Sequence, residues 1–132
     1  MIQHVYDTYR AHGPEEAIRA FASGFGEGGD GPALRFCMDS KRGDEIRANV
    51  MFWFEFELRQ YTSEVVDLEL LAKEKEKYVP MAGVESGNAP GVGPISIIAR
   101  MLGKEVVRVP GGHIGYATTT AAFADALLEL LK

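Results

Sequence analysis

The sequence predicts an α/β fold in two parts: a helical segment over residues 1–77, then a strand–helix–strand–helix segment over 78–132. Three observations lead there. Apolar residues recur at helical spacing through most of the first part. From Tyr78 onward, short β-branched runs alternate with helical stretches, the pattern of βαβ units and a parallel sheet. The run at 105–109 lacks a clean polar–apolar alternation, which suits a strand buried on both faces.

The spacing of Ile2, Val5 and Tyr9 predicts a helix over 2–12. Gly13 ends it and Pro14 opens a second helix over 14–23, with Ala17, Ile18, Phe21 and Ala22 on one face. Glu15 and Glu16 fall in its first turn, where the helix dipole favours anions. Residues 24–32 hold five glycines and read as a surface loop. A glycine-rich phosphate cradle would need a preceding strand and a following Lys-Ser or Lys-Thr helix, and neither is present.

A helix over 45–61 follows, with Asp44 as its N-cap. Ile46, Val50, Trp53, Phe54 and Leu58 make a wide apolar stripe, with Phe52 and Phe56 on the other side. Such a helix is either an aromatic core element or the roof of a substrate pocket, and Trp53 and Phe54 are the residues that would form that roof. A more polar helix over 65–77 ends in a Lys-Glu-Lys-Glu-Lys run that reads as a solvated face.

The second part opens with a short strand at 78–83, in which Pro80 must sit near the start or at an edge. A loop covers 84–94 and a helix 94–102, with Gly103 as its stop. A strand at 105–109 then runs into Pro110-Gly111-Gly112-His113. A last helix spans 119–131, its N-cap within Thr118-Thr119-Thr120 and its apolar face formed by Phe123, Ala124, Leu127, Leu128 and Leu131. In parallel sheets ligands bind beyond the carboxyl ends of the strands. Glu85 and His113 would face one crevice there. A carboxylate beside an imidazole can fix its tautomer and stabilise its cation while the imidazole takes a proton from a nucleophile. A loop histidine bonded to a nearby carbonyl is the plainer alternative.

Composition narrows the partners. A net charge of −5 argues against nucleic acid or an anionic membrane, which both want a basic face. The one cysteine, Cys37, has no intramolecular partner, so a reducing, cytoplasmic setting is expected. No apolar run is long enough to cross a bilayer, and the first residues lack the basic and apolar regions of a signal peptide. His4, His12 and His113 are scattered, so no metal site is expected, and no cofactor motif is present.

The stretches Gly83-Val84-Glu85-Ser86, Ala99-Arg100-Met101-Leu102-Gly103 and Val106-Val107-Arg108-Val109-Pro110-Gly111-Gly112-His113-Ile114-Gly115-Tyr116, with Ala122-Phe123-Ala124 and Leu127 after them, resemble the C-terminal half of an α/β-hydrolase. The resemblance implies a partial α/β-hydrolase fold: helices over 1–77 as a lid, then the last two strands and the histidine loop. It implies His113 as the catalytic base and ester hydrolysis as the chemistry. The family's acid usually follows the penultimate strand as Gly-x-x-Asp. Here Ser86 stands in the aspartate's place and Glu85 one residue before it. The family's nucleophile stands in Gly-x-Ser-x-Gly. None of Ser23, Ser40, Ser63, Ser86 and Ser96 has glycine two residues before and two after, and Cys37 lacks such a turn. The chain is thus expected to begin inside the lid, without the nucleophile half. Exposed strand edges and apolar surface would then favour a homo-oligomer or a complementing chain that brings the nucleophile. The competing expectation is a non-catalytic half-domain, serving assembly or small-molecule binding.

Overall fold

The computed structural model describes residues 1–132, apart from the side chain of Tyr61. The chain divides into two compact units, Met1–Val65 and Val66–Lys132.

The first unit is helical throughout. Helix α1 (Ile2–His12) and α2 (Pro14–Ser23) meet at Gly13, whose φ of +86° is a left-handed conformation that only glycine adopts cheaply. Pro14 fits at the first helical position because its missing N–H would have had no partner there. Residues 24–29 form the predicted loop, and helix α3 (Asp30–Cys37) begins within its last three residues. Gly31 and Pro32 are tolerated because they fall in its first turn. Gly31 is also required there, since a Cβ would lie 1.9 Å from the Gly26 carbonyl oxygen.

A 3-10 turn (Ser40–Arg42) leads to α4 (Asp44–Phe52), capped by Gly43, so Asp44 is the first helical residue rather than the cap. Helix α4 continues through a π-turn (Trp53–Glu57) into α5 (Leu58–Thr62). In a regular helix each four-residue step drifts about 40° around the axis. A wider turn reduces that drift, and Val50, Phe54 and Leu58 all face inward. They pack with Val5, Tyr9, Ala17 and Ile18 in one core. The Tyr9 and Phe54 rings stack at 4.7 Å and 12°. Such a pair adds about 0.5–1.5 kcal/mol to the burial of its area. Burial first, and then a hydrogen bond to the Glu55 carboxylate, hold the Tyr9 phenol above its ordinary value. Glu55 also lies 3.6 Å from the Arg10 guanidinium, joining α4's continuation to α1.

In the second unit, α6 (Leu68–Lys73) is capped by Asp67, whose carboxylate accepts from the Leu70 N–H at 2.9 Å. The helix is shorter than predicted: Val65 and Val66 precede it, and Lys75–Lys77 form a 3-10 turn. Strand β1 (Met81–Gly83), helix α7 (Val92–Met101) and strand β2 (Val107–Val109) follow. The strands pair in parallel, with Met81 opposite Val107 and Gly83 opposite Val109. Gly103, at φ +66°, ends α7 and the Lys104 N–H closes back on the Ala99 carbonyl at 2.9 Å. A short α8 (Gly115–Thr118) and α9 (Thr120–Leu130) complete the unit. Helix α9 has no fully buried residue, and Leu128 and Leu131 of its predicted inner face are exposed.

The predicted fold class, a partial α/β-hydrolase fold, is overturned. The chain is 64% helix and 5% strand, with two short parallel strands in place of a sheet layer. Each strand keeps only three residues. Pro80 has no N–H to pair, Tyr78 and Val79 remain exposed, and the ladder begins where the Val107 N–H reaches the Pro80 carbonyl at 2.9 Å. Helices pack on one another in the first unit, whereas in the second α7 meets β1 and α9 meets β2, two strands too short to form a layer. No helix among the described residues is long and apolar enough to cross a membrane.

Two outcomes test the helical unit. Phe54 is wholly buried, so Phe54→Ala should cost roughly 3–5 kcal/mol in urea unfolding. The Glu15 carboxyl sits below its ordinary value of 4.5, held there first by a backbone N–H and then by the Ser40 hydroxyl, which donates to it at 2.9 Å. A depressed carboxyl stabilises the fold above its unfolded value and loses that contribution as pH falls through the folded one. Acid titration of stability should therefore show a loss beginning below about pH 4.5 that Glu15→Gln diminishes.

Candidate functional site

The site is built by two loops that leave the carboxyl ends of β1 and β2. Their packing leaves no room for side chains at three glycines. A Cβ on Gly83 would lie 2.3 Å from both the Gly111 and Gly112 carbonyl oxygens. One on Gly111, at φ +86°, would lie 2.1 Å from Thr119 Oγ1, and one on Gly115 would lie 2.5 Å from the Pro110 oxygen. The Thr119 hydroxyl donates to the Gly115 carbonyl at 2.9 Å, and the Gly115 N–H to Gly112 at 3.2 Å. The loop after β2 is therefore a compact turn that leads into α8.

The loop after β1 is tied to it. The Val84 N–H donates to Val109 at 2.9 Å and the Glu85 N–H to Gly111 at 3.0 Å. A chain of tight turns follows, from Ser86 N–H to Gly83 at 3.1 Å, Ala89 N–H to Ser86 at 2.8 Å and Val92 N–H to Ala89 at 2.9 Å. These turns bring the chain to the start of α7.

Between the loops lies a pocket of about 310 Å³. His113 and Ser86 line it together, with Met81, Val92, Ile95 and Val109 among its apolar walls. Ser86 is buried, whereas His113 is exposed at the rim. Glu85 anchors the two loops through its backbone, but its side chain is exposed and is not part of the pocket lining. The structure thus brings Ser86 and His113 to one cavity and leaves Glu85 beside it. Trp53 and Phe54 belong to the first unit: Phe54 is a centre of its core, and Trp53 packs against that core, meeting Phe21 edge-on at 4.9 Å.

Sequence reasoning did not single out Gly91, Tyr116 and Phe123 as site residues. Tyr116 and Phe123 line the pocket and meet edge-on at 6.3 Å. Tyr116 stands three residues after His113, which was a usable signal because an intervening turn returns it to the same side. Nothing local in the sequence marks Gly91. Among the described residues no three His, Cys, Asp or Glu side chains come together to hold a metal ion.

No family model matches the chain.

Gly83→Ala should disrupt the site through the backbone, because the Gly111 and Gly112 carbonyls cannot rotate out of the way as a side chain could. We expect a loss of at least about 1–3 kcal/mol, the usual cost of overpacking, in urea unfolding of the second unit. Gly93→Ala is the control, since a Cβ there would meet nothing within 4 Å.

Proposed function

We propose that the second unit carries the proton-accepting part of an ester-type hydrolase site. His113 is the general base, Ser86 or Glu85 orients its ring, and the nucleophile comes from outside this chain, on a complementing chain. The observation that carries this is the shared pocket: His113 and Ser86 line one apolar cavity at the carboxyl ends of two paired parallel strands. The resemblance of Pro110-Gly111-Gly112-His113-Ile114-Gly115-Tyr116 to the histidine loop of α/β-hydrolases supports the same role for His113.

In this proposal the ester enters with its apolar part against Met81, Val92 and Ile95, and its carbonyl toward the rim. As the nucleophile attacks the carbonyl carbon, His113 takes its proton, then returns one to the departing alkoxide. An orienting group keeps the ring in the tautomer with a free lone pair toward the nucleophile. The exposed apolar surface of α9 supports association with a second copy or a complementing chain.

The position of Glu85 outside the pocket lining favours a second function, a small-molecule binding module without turnover. The two separate in one assay. The purified chain should hydrolyse p-nitrophenyl butyrate little or not at all in buffer. With methanol added as a surrogate nucleophile, the rate should rise in proportion to methanol, and His113→Ala should remove about 10²-fold, the lower end for a positioned base. Equal rates in the wild type and His113→Ala, with saturable ester binding to both, would leave the binding module. Fast hydrolysis in buffer that Ser86→Ala abolishes would place the nucleophile on this chain.

A further inference from the structure

Gly91 caps the start of α7 with φ −79°, a backbone conformation open to any residue. Torsion therefore does not require glycine here. Space is what glycine supplies: a Cβ at 91 would lie 3.0 Å from Cε1 and 3.4 Å from Nδ1 of His113, close enough that the ring would have to give. Gly93, two residues on in the same helix, has nothing within 4 Å of the equivalent point. The imidazole is thus packed against one bare α-carbon of the segment that also carries Ser86, and Gly91, Ser86 and His113 line the same pocket.

Resting on the assignment of His113 as the proton acceptor, we propose that Gly91 is the positioning residue for its ring. By presenting no side chain, Gly91 lets the imidazole lie flush against the loop after β1, which sets where its nitrogens stand in the pocket. A methyl group there displaces the ring by a few tenths of an ångström. The ring gives in preference to the backbone, because the atoms met are the end of a side chain, whereas the loop after β1 is held by the backbone hydrogen bonds of Glu85, Ser86, Ala89 and Val92. A general base works only within about 2.6–3.2 Å of the proton it takes. A displacement of this size therefore weakens proton transfer while leaving the fold and the apolar walls in place.

Nuclear magnetic resonance on the full chain tests this without any substrate. In the wild type, the Gly91 α-protons and the His113 Hε1 should give a strong Overhauser contact, and its absence overturns the proposal. Gly91→Ala should shift the His113 Cε1 and Hε1 resonances while the amide resonances of β1 and β2 stay in place, and Gly93→Ala should shift neither set. An unmoved His113 ring in folded Gly91→Ala also overturns it. If Gly91→Ala does not fold, the wild-type contact decides alone. In the methanol assay, Gly91→Ala should lower kcat about tenfold at unchanged KM, less than the roughly 10²-fold of a 1 Å misplacement. Hydrolysis independent of His113 with the Overhauser contact intact would sink the proton-acceptor role alone. A missing contact with His113-dependent hydrolysis would sink the Gly91 role alone.

Discussion

The backbone of Gly83 runs so close to the carbonyls of Gly111 and Gly112 that no side chain fits between them. The second unit is arranged around that contact. It sets the distance between the two loops, which are then joined by the Glu85 N–H to the Gly111 carbonyl. It forces the chain after β2 into a turn tight enough to exclude side chains at Gly111 and Gly115 as well. Gly83 and Gly112 also line the pocket. Ser86 and His113 arrive there because each stands three or four residues beyond its own strand, with a turn between.

The first unit rests on a different kind of constraint. Its centre is a stack of Tyr9 on Phe54, and a turn of π-helix at Trp53–Glu57 lies where the apolar stripe needs realignment. A π-turn costs hydrogen-bond geometry, and here the inward direction of Val50, Phe54 and Leu58 offsets that cost. The aromatic stripe, which could equally have roofed a pocket, serves this core. The polar groups around it are also engaged: Glu55 accepts from Tyr9 and faces Arg10, and Glu15 accepts from Ser40.

Much of the helical order was legible in the residues. Ile2, Val5 and Tyr9 define one face, and Gly13-Pro14 divides two helices at the positions where they divide. Gly103 ends α7 with the left-handed conformation its type suggests. The glycine-rich run misleads at its end, because Gly31 and Pro32 have the character of breakers although both are allowed in a first turn. The fold class departs from the sequence pattern for a related reason. The β-branched residues at 105–109 and the apolar ones at 78–83 have strand propensity, but propensity does not supply partners. Pro80 withholds an N–H and the pairing stops at three residues a side.

By itself, the sequence determined what short-range rules can determine: helix faces from spacing, helix ends from glycine and proline, and a histidine placed just after the last strand. Only the tertiary structure decided which glycines are there for space and which for torsion. Gly13 answers to its φ, Gly83 to two carbonyls and Gly91 to an imidazole 22 residues away in the chain. A letter G is the same in all three places. What distinguishes them is the atom that occupies the missing side chain's volume, and that atom comes from a part of the chain that local pattern does not reach.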